Sequence, residues 1–231
     1  MAARARRRAV ILAGGRLRAA PRLRERLRRA ALLICADGGL RAARRLGLRP
    51  AVAVGDFDSA SRRLVAWART RGATVVSYPA AKDRTDTELA LEWALRAGAA
   101  EIELYGALGG RLDHLLANVT LLFRARVRGR SLRIVDGPVE AFLATARTRI
   151  VGRRGDLVSL LPLSAEVTGI TTRELRYPLR NARLQRGRTL GISNEVIGRH
   201  PEVRVRRGHL LVVVTRRRAR PRRRTSSRAP V

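Results

Sequence analysis

The chain is short of several residue types, and each shortage excludes something. Cysteine occurs once, at Cys35. A single thiol rules out an internal disulfide and leads us to expect a cytoplasmic protein. Aromatics make up only 3% of the 231 residues, so the core has to be built from Ala, Leu, Val and Ile. Few rings are then left to stack on bases, which argues against specific nucleic-acid recognition. No apolar run approaches the roughly 20 residues needed to span a bilayer. The run from Ala9 to Ala13 behind the basic N-terminus is too short for a signal-peptide core and fits a first strand.

Acidic residues are scarce as well, 18 against 50 basic ones, for a net charge of +32. Lys82 is the only lysine; the other 49 basic residues are arginine. So much Arg beside so much Ala looks like a GC-rich coding bias acting on surface positions. Residues 1–8 carry four Arg and residues 216–231 carry eight, neither with an acid. Without those twelve, residues 9–215 still hold +20, so the charge is spread widely. Such a surface attracts polyphosphates and nucleic acid without specificity.

What remains is an alternation of short apolar runs and helical patterns. Strands are expected at Arg8–Ala13, Ala31–Cys35, Ala51–Val54, Ala73–Ser77, Glu101–Tyr105 and Ser131–Val135. Helices are expected at Pro21–Arg29, up to Leu46, and at Ala60–Arg71, Thr85–Ala97 and Arg111–Val127. In the fourth, Leu89, Trp93 and Ala97 share a face. Strands that alternate with helices imply a mostly parallel sheet in a three-layer α/β domain, here residues 9–137. After Asp136-Gly137-Pro138 only short runs follow, at 140–144, 156–161, 165–170, 175–179, 203–205 and 210–215, broken by Gly and Pro. Residues 138–215 therefore read as an all-β sandwich or barrel. Residues 1–8 read as a basic extension, and 216–231, of Arg, Pro and Ser, as a disordered tail.

Four of the scarce acids fall in two loops that follow strands. Gly55-Asp56-Phe57-Asp58-Ser59 places carboxylates at i and i+2, and Lys82-Asp83-Arg84-Thr85-Asp86 adds two more. Clustered carboxylates repel unless a cation neutralises them. Hard oxygen ligands at a loop edge suit Mg²⁺, above all when phosphate supplies the remaining ligands. Asp residues in such places also cap helices and fill turns.

Gly106-Ala107-Leu108-Gly109-Gly110-Arg111-Leu112-Asp113-His114 joins a strand to a helix. Glycines there let backbone N–H groups approach an anion, the helix N-terminus favours it, and Arg111 can fork onto a phosphate. The Gly-Lys-Ser/Thr ending of a Walker loop is absent, and the stretch also reads as a plain glycine-rich turn. Asp113 and His114 can cap and pack the helix, and Asn118, four residues past His114, can touch it. In an open α/β sheet, ligands sit outside the carboxyl ends of the strands. Every stretch above, with Gly14-Gly15 and Asp37-Gly38-Gly39, follows a strand.

Together these stretches resemble the thiamine pyrophosphokinase family. The residues that carry the resemblance are Ala36–Gly39, Gly55–Ser59, Asp83–Asp86, Gly109–His114, Leu175-Arg176-Tyr177-Pro178-Leu179 and Gly191-Ile192-Ser193-Asn194-Glu195. They stand in the family's order over roughly residues 10–215. The resemblance implies transfer of pyrophosphate from ATP to the hydroxyl of thiamine, with release of AMP, in a homodimer whose sites lie between subunits. It implies Mg²⁺ on Asp56, Asp58 and Asp86, with Asp83 in support. It implies ATP against Asp37, Gly38, Gly39, Asp56, Lys82, Thr85, Gly109, Gly110 and Arg111. Thiamine would lie near Asp113, Asn118, Tyr177, Ser193 and Asn194. Catalysis would rest on Asp56, Asp58, Asp83, Asp86, Arg111 and Asp113. Glu174 departs from the family, which commonly has Gly there. Two other functions fit less of the chain: a basic nucleic-acid-binding protein, and a nucleotide-binding relative that is non-catalytic or acts on another alcohol.

Overall fold

A computed structural model describes residues 8–217 except 19, 21, 59 and 60. The N-terminal extension before Arg8, the tail beyond Arg217, Ser59 of the first acidic stretch, and the expected helix starts at Pro21 and Ala60 lie outside the described residues.

Six strands form the parallel part of a ten-stranded sheet: β1 (Arg8–Leu12), β2 (Leu32–Ala36), β3 (Val52–Gly55), β4 (Thr74–Ser77), β5 (Glu101–Tyr105) and β6 (Ser131–Asp136). Their order is β6-β5-β1-β2-β3-β4, so the winding reverses at β1. The crossovers are α1 (Leu23–Arg28), α2 (Gly39–Arg45), α3 (Arg62–Thr70), α4 (Asp86–Arg96) and α5 (Leu112–Val127). Period-two alternation sends the side chains of β1, β2 and β3 to two covered faces, which is why these central strands are almost wholly apolar. Ala9 and Ile11 face α4 and α5, while Val10 and Leu12 face α1, α2 and α3. Both faces are covered, which parallel sheets require. Gly47, Gly72 and Gly98 follow α2, α3 and α4 with positive φ, and so end them.

The chain then turns back through Gly137-Pro138 without leaving the sheet. β7 (Val139–Leu143) pairs antiparallel with β6. A four-stranded antiparallel sheet holds β8 (Arg147–Arg149), β10 (Glu166–Arg173), β11 (Ala182–Gln185) and β13 (Glu202–Arg204). The ten-stranded sheet continues with β9 (Leu157–Pro162), β12 (Asn194–Glu195) and β14 (Leu210–Thr215). The two layers enclose a third core, which includes Phe142, Leu160, Val167, Ile170, Val203 and Val212.

Two expectations need correction. On α4 the buried set is wider than one stripe and takes in Ala90, Leu91, Ala94 and Leu95, while Ala97 is exposed. The helix lies between the sheet and α5, so two sides of it are covered. Residues 175–179 are not a strand. Only Leu175 makes a bridge, to Val196, and Pro178 has no N–H for a ladder.

Candidate active site

The carboxyl ends of β2 and β3 lie side by side, and the close approach is made possible by Gly55. A Cβ there would stand 3.0 Å from the Asp37 Cβ. The Asp37 N–H donates to the Val54 carbonyl at 2.8 Å. Asp37 (φ 36°) and Phe57 (φ 57°) both adopt the left-handed region that side chains disfavour. Strained backbone of this kind clusters at functional sites. Its result here is a trio: Asp37, Asp56 and Asp58 each bring one carboxylate oxygen within 4.8 Å of the others.

Lys82 reaches in from the loop before α4. Its Nζ lies 3.1 Å from Asp56 Oδ2 and 3.0 Å from Asp86 Oδ1. Asp86 is the first residue of α4, where the helix field favours a carboxylate. Thr85 caps that helix by accepting from the Glu88 N–H at 3.2 Å. Burial raises the Asp56 carboxyl, but the Lys82 ammonium and the Asp58 N–H outweigh it and hold the group below its ordinary value. Burial and the neighbouring charges of Asp56 and Asp37 leave Asp86 above its ordinary value despite Lys82. Burial lowers the Lys82 ammonium, yet its bonds to Asp86 and Asp56 prevail and raise it.

Asp37 joins Asp56 and Asp58 in the trio, and Asp86, also expected to hold Mg²⁺, lies across Lys82 from Asp56. Asp83 is exposed and outside the trio. No sequence spacing links Asp37 to Asp56. The signal lay only in the shared position of both after neighbouring strands.

Beside the trio is a cavity of about 190 Å³ at the ends of β1, β2 and β5. Gly14, Gly15, Asp37, Gly38, Asp86, Gly109, Arg111 and Asn118 line it. Gly39 lies so close to β1 that a Cβ would come within 1.9 Å of the Leu12 carbonyl, so α2 starts directly on the strand. The Gly15 N–H donates to the Gly106 carbonyl at 3.1 Å and joins the two loops. Gly14 and Gly15 stood out in the sequence only as loop residues; here they form the cavity wall. Gly110 is open to solvent at φ 92°.

Arg111 and Asp113 pair with each other across α5's first turn, at 3.1 and 2.6 Å, and both are exposed. That pairing holds the guanidinium at the cavity mouth and keeps the Asp113 carboxyl below its ordinary value. His114, expected to pack against the helix, is exposed on the cavity wall. Asn118 is buried and donates to the Ala107 carbonyl at 3.0 Å, so it braces the glycine-rich loop.

At the far end of the sheet, the Asn194 amide grips the backbone of Tyr177. Its Oδ1 accepts from the Tyr177 N–H at 3.0 Å and its Nδ2 donates to the Tyr177 carbonyl at 2.7 Å. The Tyr177 side chain is thereby held out, 66% exposed. Ser193 sits beside it, exposed, with φ 56°. These three residues are together, but far from the acidic trio. Eight strand-to-strand steps separate β12 from β3, roughly 38 Å at about 4.8 Å per step.

Comparison with known proteins agrees with this division. The family model for the thiamin pyrophosphokinase catalytic domain matches residues 23–135, and that for its vitamin B1 binding domain matches residues 147–210. The thiamine pyrophosphokinase of Bacillus subtilis is 31% identical over 169 residues, 72% of this chain and 79% of its own. Its crystal structure superposes with a TM-score of 0.82 at 29% identity, covering 90% of this chain and 99% of the other. That of the Geobacillus thermodenitrificans thiamin pyrophosphokinase gives 0.77 at 33%, covering 90% and 97%. The chain belongs to the thiamine pyrophosphokinase family.

As a thiamine pyrophosphokinase it carries the trio, Lys82 and the cavity within the catalytic-domain match. Tyr177, Ser193 and Asn194 fall within the vitamin B1 binding match. The departure at Glu174 also has a physical reading. Its φ is 56°, a conformation glycine takes at no cost. Glu174 offsets that strain with its own bonds: its carboxylate accepts from the His200 N–H, and its carbonyl accepts from the Ile197 N–H at 2.9 Å.

Proposed function

We propose that this enzyme transfers the pyrophosphoryl group of ATP to the hydroxyl of thiamine. The hydroxyl oxygen bonds to the β-phosphorus, the bond from that phosphorus to the α-bridging oxygen breaks, and AMP leaves. The hydroxyl proton passes to solvent. The observation that carries this reading is the set of carboxylates and one ammonium packed at the carboxyl ends of β2 and β3, beside a glycine-lined cavity. The donor set fits Mg²⁺: three hard oxygens at the ends of two neighbouring strands, close enough to share one ion. Asp37, Asp56 and Asp58 would hold it, and Mg²⁺ when bound supplies positive charge against the polyphosphate. The residues do the rest by position and charge, as phosphoryl transfer requires. The open backbone at Gly109-Gly110 and the start of α5 face the nucleotide. Arg111 offers a planar fork for phosphate oxygens once it leaves Asp113.

The roughly 38 Å between the trio and Tyr177 means that one chain does not close a site over both substrates. We read the protein as a homodimer in which the β-rich part of one copy faces the trio of the other. Both surfaces are apolar enough to meet. Leu112 and Leu116 are exposed on α5, and Tyr177, Leu190, Ile192 and Ile197 near β12. The exposed arginines do not favour nucleic acid as the substrate, since no stacking platform accompanies them. Among the described residues no helix is long and apolar enough to cross a membrane. Our reading places the enzyme in the cytoplasm, in keeping with one buried thiol.

Incubation of the pure protein with ATP, Mg²⁺ and thiamine is expected to give thiamine diphosphate and AMP. ADP with thiamine monophosphate would reject pyrophosphoryl transfer. Asn194→Ala frees the Tyr177 backbone, and is expected to raise KM for thiamine while leaving KM for ATP unchanged. At thiamine well below the raised KM, a mixture of Asn194→Ala and Asp56→Asn chains should exceed the activity of either alone, since one of the two hybrid sites is intact. Failure of the mixture to exceed either, with subunit exchange demonstrated, would argue for a site within one chain.

A further inference from the structure

In this chain arginine fills 49 of the 50 basic positions, and the exception is Lys82. The bias towards arginine has spared a single ammonium, and that ammonium is the one set among the carboxylates. Its Nζ bridges Asp56 at 3.1 Å and Asp86 at 3.0 Å, and its side chain is only 14% exposed. The two partners come from different elements, the loop after β3 and the first turn of α4. An ammonium is a compact charge on a flexible stem with three rotatable donors. A guanidinium is wider, planar and forked, and suits one carboxylate side-on. It can bridge two carboxylates, as Arg124 does between Glu88 and Glu92, but its rigid planar fork does not turn as a point charge towards a third anion.

We propose that Lys82 is the resident counter-ion of this acidic slot and a positioning residue for the nucleotide. In the free protein its ammonium bridges Asp56 and Asp86 and offsets part of their charge. When the metal-bound nucleotide enters, the ammonium leaves the carboxylates for a phosphate oxygen, and Asp56 is released to the metal. Ammonium and metal therefore compete for Asp56 until a polyphosphate gives both a partner. Metal binding becomes conditional on nucleotide, because Lys82 holds Asp56 until a polyphosphate is present. This inference rests on the pyrophosphoryl-transfer reading above.

The test uses the full chain. Mg²⁺ alone is titrated by calorimetry into wild type, Lys82→Met and Lys82→Arg, and kcat and KM for ATP are measured on the same samples. Lys82→Met is expected to bind Mg²⁺ alone about ten-fold more tightly than wild type, about 1.4 kcal/mol, and to raise KM for ATP. A lysine that served only as a strut would move Mg²⁺ affinity the other way, because loosened carboxylates bind less well. Equal or weaker Mg²⁺ binding by folded Lys82→Met overturns the proposal. Lys82→Arg keeps the charge and is expected to lose kcat about ten-fold, again about 1.4 kcal/mol. Wild-type kcat and KM in Lys82→Arg overturn the requirement for an ammonium. If Lys82→Met melts below the assay temperature, the Lys82→Arg kinetics decide alone. A wild type that forms no thiamine diphosphate sinks the reading of the reaction instead, and leaves the Mg²⁺ comparison interpretable.

Discussion

Asp56→Asn is expected to lower turnover about 100-fold or more, the scale of removing one preorganised electrostatic contact from a reacting site. Asn keeps the shape and one oxygen. It loses the charge that opposes Mg²⁺–polyphosphate and the charge that anchors Lys82. Asp58→Asn should fall in the same direction, since its carboxylate belongs to the same trio. The two differ in stability. Asp56 has an ion pair in the free protein, so its loss should cost up to about 1 kcal/mol. Asp58 is exposed, and its backbone N–H donates to Asp56 Oδ1 at 3.2 Å, a bond that Asn keeps. Asp58→Asn should therefore melt with wild type. The measurement is turnover over a Mg²⁺ titration, with thermal melts of the same samples. If the carboxylates only fill turns, each variant keeps near-normal turnover at low Mg²⁺, and the metal reading fails. The melts guard against confusing a damaged site with a damaged fold.

Much of this arrangement was legible before any coordinates. β1 to β3 read correctly because a strand buried on both faces has to be a nearly continuous apolar run, and Gly or Asp stands within two residues of the end of every one of the six strands but the edge strand β4. Their parallel order then fixes one edge of the sheet as the place for a site, and Asp37, Asp56, Asp86 and Gly109 all stand at that edge. What the sequence does not carry is distance across the fold. Asp37 joins Asp56 and Asp58 because β2 and β3 are neighbours and Gly55 lacks a Cβ, and neither fact is a spacing. Lys82 reads as a nucleotide contact, and its position between two carboxylates appears only when two loops are brought together. The short strands β8, β11 and β12 escape notice for another reason. They lie at sheet edges and carry one buried residue each, with Arg beside it in β8 and β11. Edge strands that resist aggregation are short and charged, which erases the alternation that would reveal them. Asn118 and Asn194 have the residue type of ligand contacts, yet their amides are bonded to backbone. Both hold a loop in place.

The largest stability effect is expected from Glu103→Gln, well away from the trio. The carboxylate is nearly buried in β5 and accepts four hydrogen bonds from three residues, one of them from Arg26 Nε at 3.2 Å. Arg26 Nη2 donates to it at 2.7 Å, the Tyr105 hydroxyl at 2.9 Å and Arg8 Nη1 at 3.1 Å. Arg8 Nη2 also donates to the Arg26 carbonyl at 2.6 Å, so β1, α1 and β5 are tied at one point. Burial raises the Glu103 carboxyl, but the Arg26 bond, Tyr105 and Arg8 outweigh it and leave it below its ordinary value. Removing the charge leaves two guanidinium groups facing a neutral amide. Arg26 and Arg8 are partly exposed, so water takes up some of the loss. The expected cost is about 2 kcal/mol, the scale of a charge-assisted hydrogen bond. In a domain of this size that lowers the melting temperature by about 4–8 °C. The pH dependence has a definite sign. A depressed folded-state value means that the stabilisation is present above the unfolded glutamate value, about 4.3, and is lost as pH falls through the folded value. The gap between wild type and Glu103→Gln should therefore be full at neutral pH and close on the acid side, because glutamine does not titrate. Melts at a series of pH values decide it. Equal melting temperatures at pH 7 would mean that the arginines gain as much from water as from Glu103, and that β5 is held to α1 by packing alone.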